Sequence, residues 1–113
     1  MPTNLTAHHK TKKDKLNWLY ENINTLITDV ENALYLYYQE QLEGYHFRLK
    51  EKADELMPVI SRSEKVWNHV FEPGIYIAPD EDNEIHLEYE CSFDEENGLR
   101  VIIRDGKISK ISL

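Results

Sequence analysis

Three acidic residues are clustered in a turn near the carboxyl end of the chain. Asp94, Glu95 and Glu96 follow an apolar, strand-like run and are followed directly by Asn97 and Gly98. Carboxylates grouped in this way can bind a metal ion, act as general acid and base, or face a partner protein. A calcium loop needs oxygen ligands at alternate positions and a glycine at the sixth, and this stretch is too short for that spacing. We therefore predict a structural corner whose acids cap backbone amides or face solvent, with a partner surface as the second interpretation.

Other reactive residue types show no arrangement typical of an active site. The five histidines include no pair at positions i and i+4, the helical spacing that presents two metal ligands on one face. Cys91 is predicted to point to the apolar face of a strand, where burial and acidic neighbours both disfavour a thiolate. The sequence contains no glycine-rich phosphate loop and no nucleophile elbow. We expect no catalytic residue, no metal and no cofactor.

A long amphipathic helix is predicted for the first half of the chain. From Leu16 to Tyr37, apolar residues recur at alternating intervals of three and four, which places them on one helix face. Thr11 begins a motif that resembles a capping box, so the helix is expected to begin near Lys12. Gly44 is the expected end, since glycine commonly terminates helices.

Shorter helices are expected next. Residues 47–57 have apolar side chains at helical spacing, and Pro58 should end this segment because the residue before a proline leaves the α region. Ser61 or Ser63 is expected to cap a further short helix that turns Val66 inward.

The second half of the chain changes to the two-residue period of β-strands. Residues 84–93 alternate between an apolar face and a face expected to lie in water, and residues 99–104 repeat the pattern. The water-facing side carries Glu84, His86, Glu88 and Glu90. Asp105-Gly106 is typical of a two-residue type I′ hairpin turn, and a parity shift in the last strand predicts a bulge.

These elements predict an α+β fold in one domain, residues 1–113. Its helical part covers about residues 12–71 and its sheet part about residues 75–113, with the helices packed on one face of a three- to four-stranded antiparallel meander. The acidic stretch from Pro79 to Glu84 is expected to join two strands.

Composition and charge exclude several functional classes. The net charge of -8 repels phosphate backbones, and the short basic stretch HHKTKKDK has no interleaved aromatic residues, so we expect no nucleic-acid binding. One cysteine cannot form a disulfide framework. No apolar run approaches the roughly 18 residues of a membrane span, and no signal peptide is visible. We expect a cytoplasmic protein that does not bind membranes.

Four tyrosines crowd the stretch ALYLYYQEQLEGYHF at the end of the predicted helix: Tyr35, Tyr37, Tyr38 and Tyr45. Four rings cannot all face one core from one helix. Tyr35 is rotated from Tyr37 by about 200° and is therefore predicted to lie outside that core, exposed or against a second chain. We hypothesise that Tyr35, Leu36 and Gln39 form a binding or self-association surface. Alternatively, the tyrosines cap the end of the sheet within one molecule.

The segment YECSFDEENGLRVIIRDGKISKI resembles the carboxyl-terminal part of a group of small, uncharacterised bacterial proteins. Their mark is a strand ending in a Cys-Ser/Thr-Trp-like step, then Asp-x-Glu-His-Gly, a strand, a turn and a final strand. The matching positions here are Cys91, Ser92, Phe93, Asp94, Glu96, Asn97, Gly98 and Leu99. Phe93 stands where the family has tryptophan and Asn97 where it has histidine, a change that favours a structural role for the motif. The resemblance also implies gene settings similar to toxin–immunity clusters.

These observations favour a non-enzymatic bacterial protein that binds another protein, and the resemblance implies an immunity-type neutraliser. An acidic surface steers a basic partner, such as a toxin, by long-range attraction. Two alternatives stay open. One is a metal-dependent hydrolase that uses Asp94, Glu96 and a histidine brought close by folding, such as His69 or His86. The other is a homo-oligomer that associates through the tyrosine-rich helix end.

Overall fold

The computed structural model describes residues 12–77 and 84–112. A long helix is followed by short helical segments and then by strands. Helix α1 spans Lys12–Leu49, a 3₁₀ segment spans Lys50–Lys52, helix α2 spans Ala53–Leu56, and a second 3₁₀ segment spans Ser63–Asn68. The strands are β1 (Val70–Ile77), β2 (Glu84–Cys91), β3 (Leu99–Arg104) and β4 (Lys107–Ser112). Among the described residues the strands form one antiparallel sheet in chain order, which confirms the predicted α+β meander.

Helix α1 is one continuous element and is longer than predicted. It begins at Lys12 as expected, whereas Thr11 lies outside the described residues. The predicted end at Gly44 is wrong, because α1 continues to Leu49. A glycine inside a helix costs only about 1 kcal/mol relative to alanine, and the next residue, Tyr45, is buried in the core. The helix ends where Lys50 adopts a positive φ of 55°.

The segment between α1 and the sheet is held against α1 by side chains. Helix α2 ends at Leu56, two residues before Pro58, as expected. The second 3₁₀ segment buries Val66 but begins without a side-chain cap, so the predicted serine cap is wrong. The Ser63 hydroxyl instead donates to Glu31 on α1, at 3.1 Å.

The hydrophobic core lies between α1 and one face of the sheet. Helix α1 contributes Leu19, Leu26, Val30, Leu34 and Tyr38. The sheet contributes Ile85, Leu87, Tyr89, Cys91, Val101 and Ile103. Cross-strand pairing places Leu87 opposite Val101 and Ile85 opposite Ile103, so the apolar side chains of β2 and β3 share one face. This confirms the inward face that strand alternation predicted.

The other face of the sheet is less exposed than predicted. Glu84 and His86, expected in water, are both buried. Nε2 of His86 donates to Glu84 at 2.8 Å, Arg104 bonds the same carboxylate, and the ring of Tyr76 lies 5.5 Å from that of His86. Mutual pairing and the cross-strand ring shield these two side chains, although alternation correctly assigned their face.

The hairpin between β3 and β4 has the predicted turn. Asp105 and Gly106 both have positive φ, 53° and 79°, as a type I′ turn requires. The register between β3 and β4 shifts between Ile102 and Ile103, which confirms a bulge in the last strand pair. The predicted connection before Glu84 falls on residues 79–83, outside the described part of the chain.

Candidate functional site: the acidic corner

The acidic turn, residues 94–98, is organised around the side chain of Asp94. Its Oδ1 accepts hydrogen bonds from the backbone N and the Nδ2 of Asn97, at 3.3 and 3.1 Å. Its Oδ2 accepts a bond of 2.7 Å from the hydroxyl of Tyr45 on α1. The backbone carbonyl of Asp94 accepts from the amide of Gly98 at 2.9 Å. One carboxylate therefore closes the turn and also ties it to the long helix.

Gly98 is placed where a side chain cannot fit. Its φ is +64°, a conformation that residues with a Cβ rarely adopt. A Cβ built on Gly98 would also overlap the carbonyl oxygen of Tyr89, a backbone atom of β2 that cannot move aside cheaply. A glycine at position 98 is thus needed for the turn to pass close to the strand.

An aromatic cluster packs between the acidic turn and α1. The ring of Phe93 packs edge-to-face against Tyr38 and Tyr45, with centroid distances of 5.5 and 5.0 Å. The guanidinium carbon of Arg48 lies 4.2 Å from the centre of the Tyr45 ring. Edge-to-face pairs of this kind contribute about 0.5–1.5 kcal/mol each beyond the area they bury. Position 93 is therefore a packing position in this chain.

Ser92 connects the corner to two further segments. Its hydroxyl donates to the carbonyl of Leu56 at 2.6 Å, and its backbone amide donates to the carbonyl of His69 at 2.9 Å. Because the single hydroxyl proton is used by Leu56, Nδ1 of His69 must donate to the Ser92 oxygen, at 2.9 Å. Burial lowers the pKa of His69. The His69–Ser92 pair holds segments together and leaves the serine without a base to activate it.

Protonation of the Asp94–Tyr45 pair is set by its surroundings. Burial by itself raises the pKa of Asp94, but the hydrogen bonds from Tyr45 and Asn97 outweigh burial and hold that pKa below its ordinary value. Burial, together with the bond to Asp94, raises the pKa of the Tyr45 hydroxyl well above its ordinary value. At neutral pH the pair is a carboxylate that accepts from a protonated phenol.

Replacing Tyr45 by phenylalanine should therefore have a pH-dependent effect. At pH 7 we expect Tyr45→Phe to lower the free energy of unfolding by about 2 kcal/mol, the size of a hydrogen bond to a charged group. In the folded protein the pKa of Asp94 is below its unfolded value of about 3.9, so its ionised form stabilises the fold fully above that pH. This stabilisation is lost as the pH falls through the folded pKa. The difference between wild type and variant should shrink in urea unfolding at pH 3. The control Tyr20→Phe, at an exposed position, should show no difference at either pH. A loss in Tyr45→Phe that is equal at both pH values would contradict this account.

A groove lies beside the acidic turn, on the β1 edge of the sheet. Its lining residues are Phe71, Glu90, Cys91 and Glu95, its volume is about 310 Å³, and we call it the acidic groove. Phe71 is directly opposite Glu90 in the β1–β2 pairing. The nearby carboxyl group of Glu72, together with the negative charge of Glu95, raises the pKa of Glu90.

Cys91 lines this groove, but its side chain is buried. Its thiol donates to the carbonyl of Asp94 at 3.4 Å, and burial raises its pKa to about 11. A thiol with that pKa is almost entirely protonated at neutral pH, so it is a poor nucleophile. The prediction that Cys91 is a core residue is confirmed.

The residues named for the hydrolase alternative do not form a metal site. In residues 12–77 and 84–112, no three His, Cys, Asp or Glu side chains are grouped to hold an ion. Asp94 is bonded to Tyr45, His69 to Ser92, and His86 to Glu84. Glu96 is exposed and lines an open cleft of about 430 Å³ between the acidic turn and α2. The geometry of these residues gives the hydrolase alternative no support.

The three residues of the hypothesised helix interface have different surroundings. Tyr35 is half-buried and packs against the core, so the prediction that it lies outside the core is wrong. The second 3₁₀ segment and the chain around residue 60 also contact α1, through bonds to Glu31 and Gln39. The sequence predicted contacts on one helix face only. Nε2 of Gln39 donates to the carbonyl of Ile60 at 2.8 Å. Leu36 alone of the three is largely in solvent, 61% exposed.

Sequence reasoning missed Tyr45, Phe71 and Glu72 as parts of the corner. The contacts of Tyr45 with Asp94 and of Glu72 with Glu90 join distant positions, so no local pattern indicates them. One signal was available, because the Glu72-Pro73 step interrupts the alternation expected of a regular strand.

The fold and the corner define a small α+β domain in which an acidic turn is tied to one long helix. A family model described as a domain of unknown function (DUF6985) matches residues 4–113, and the chain belongs to this family. No curated protein and no solved structure matches the chain. The family agrees with the resemblance to uncharacterised proteins, and the match concerns the domain rather than the motif at residues 93–98. No described helix is long and apolar enough to cross a membrane.

Proposed function

We propose that this domain is a non-enzymatic module that binds a basic protein through the acidic groove. The observation that supports the proposal is the convergence of Glu72, Glu90 and Glu95 beside the exposed ring of Phe71. Carboxylates brought together in this way repel one another, and a cation from a partner would relieve that repulsion.

The two arginines of β3 are paired with acids outside the acidic groove. Arg100 pairs with Glu88, and Arg104 pairs with Glu84. Among the described ion pairs, none includes a carboxylate of the acidic groove or Glu72. The β1 edge of the sheet therefore has a concentrated negative charge within a chain whose net charge is -8.

This electrostatic pattern fits an immunity-type neutraliser in the cytoplasm of a bacterium. Proteins that act on nucleic acids have basic surfaces, and an inhibitor that covers such a surface needs the opposite charge. Long-range attraction between such surfaces raises association rates by about tenfold or more at low salt. The resemblance to proteins from toxin–immunity settings points in the same direction.

Binding should depend on the acidic groove rather than on net charge. Proteins captured by the immobilised domain are identified, and the affinity of a purified one is measured by calorimetry at two salt concentrations. We expect Glu90→Lys with Glu95→Lys to weaken binding at least tenfold. The control, Asp29→Lys with Glu43→Lys, makes the same charge change at exposed positions on α1 and should weaken binding far less. Equal losses in both double variants would refute the groove as the binding site.

The immunity-type form of the proposal makes a separate genetic prediction. The gene should lie beside a large gene that encodes a secretion module and a variable carboxyl-terminal domain. Expression of that domain should arrest growth, and co-expression of this chain should restore it. A gene that stands alone in a metabolic cluster would argue against neutralisation.

Self-association is the second candidate, and a groove between α1 and β4 favours it. Its volume is about 340 Å³, and its lining residues are Ala33, Leu36, Tyr37, Glu40, Ile108, Lys110 and Ile111. Glu40 and Lys110 have opposite charges, so a two-fold axis could pair each with the other on a second copy. Sedimentation equilibrium should then show a dimer that Leu36→Asp dissociates and that Phe47→Asp, at another exposed position, leaves intact. A wild-type monomer at millimolar concentration would exclude this candidate.

A further inference from the structure

We infer that the acidic groove receives an arginine side chain of the partner in preference to a lysine. This inference rests on the proposed function and specifies the chemistry of its binding site. The groove combines two features that a guanidinium uses together, an aromatic ring and carboxylates. Phe71 is 37% exposed, Glu90 lies directly opposite it in the strand pairing, and Glu95 also lines the groove.

An irregularity in β1 creates this combination. Successive residues of a regular strand face opposite sides of the sheet, so Phe71 and Glu72 should not meet the same neighbour. The β1–β2 register shifts between Phe71 and Gly74, and Glu72 has a positive φ of 53°. As a result, Phe71 lies opposite Glu90 in the strand pairing, and Glu72 is also close enough to raise the pKa of Glu90.

The same irregularity makes recognition by side chains more suitable than strand addition. An edge strand can pair with an extended peptide only where its amide groups are regularly spaced and free to donate. Pro73 has no amide hydrogen, and the bulge bends the strand beside it. A partner is thus expected to insert a side chain into the groove rather than to add a strand at this point.

Arginine fits the groove better than lysine or a metal ion. The planar guanidinium stacks on an aromatic face and directs several N–H donors to carboxylates, whereas the lysine ammonium is a compact, strongly hydrated charge. A divalent ion would gain nothing from the Phe71 ring. The carboxylates around the groove are also not among any group of described residues positioned to hold a metal.

The test is an NMR titration of the full chain with blocked Gly-Arg-Gly and Gly-Lys-Gly peptides. The arginine peptide should shift the amide signals of residues 71, 72, 90 and 95, with a dissociation constant at least about threefold lower than that of the lysine peptide. Phe71→Leu should weaken arginine binding about two- to fivefold and leave lysine binding unchanged. Phe71→Tyr, which retains an aromatic face, should preserve the preference. A thermal melt of each variant verifies that it is folded.

Two further variants separate charge from stacking. Glu90→Gln should weaken binding of both peptides, and Asp29→Asn, at an exposed position on α1, should weaken neither. Equal affinity for the two peptides, no effect of Phe71→Leu, or saturation of the same signals by calcium would overturn the inference. If the peptides bind equally while Glu90→Lys with Glu95→Lys still abolishes protein binding, the inference fails and the proposed function stands. If the groove affects neither peptides nor protein, both fail.

Discussion

Gly98→Ala is expected to destabilise the domain by about 3 kcal/mol or more, or to prevent folding. Placing an L-residue in the left-handed region costs about 1–2 kcal/mol. The new methyl group would also overlap the Tyr89 carbonyl oxygen, so β2 or the acidic turn would have to move. Urea unfolding at pH 7, monitored by tryptophan fluorescence, measures the loss.

Gly44→Ala is the matched control for this prediction. Gly44 lies inside α1, and a Cβ there would meet no atom within 4 Å. The same glycine-to-alanine change should therefore stabilise the domain by about 0.5–1 kcal/mol, because alanine is the better helix former. If the two variants had similar stabilities, the turn at Gly98 would not have the strained approach to β2 described above.

Phe93→Ala should have the second large effect, a loss of about 3–5 kcal/mol in the free energy of unfolding. The Phe93 ring is 3% exposed and supplies the shared partner for the rings of Tyr38 and Tyr45. Its removal leaves a cavity beneath the acidic turn, and the Tyr45–Asp94 bond loses part of its support. Binding at the acidic groove should weaken as well, because Glu95, which lines the groove, follows Phe93 by two residues.

Phe47→Ala is the matched control, because it makes the same substitution at an exposed position. Phe47 lies on α1 and is 82% exposed, so its truncation should change stability by less than about 0.5 kcal/mol. Chemical denaturation of both variants separates burial from side-chain type. A small loss for Phe93→Ala would show that the aromatic cluster can collapse into the cavity, and the corner would then depend on hydrogen bonds alone.

Local patterns were sufficient for most of the secondary structure. The helix start near Lys12 followed from side-chain period and capping chemistry, and the inward face of β2 followed from strict alternation. Asp105-Gly106 predicted its turn because a type I′ turn demands positive φ at both central residues. Such features depend on interactions between residues that are close in sequence, so a short stretch of sequence is enough to predict them.

Other predictions failed because packing outweighed local preference. Gly44 is a good terminator in isolation, yet α1 continues through it, since the turn that follows buries Tyr45 against Phe93 and Asp94. Glu84 and His86 were assigned to the correct face, but their burial depends on Arg104 and Tyr76 from neighbouring strands. Tyr35 packs against the core, and later segments of the chain also contact α1.

The sequence by itself determined the class of fold, the order of the elements and the position of the acidic turn. Tertiary structure alone decided what the turn contacts. The Tyr45–Asp94 bond joins positions 49 residues apart, and the acidic groove needs β1, β2 and the turn at once. The reason is physical: hydrogen-bonded turns and periodic faces are local, whereas a binding site requires side chains that meet only when distant segments pack together.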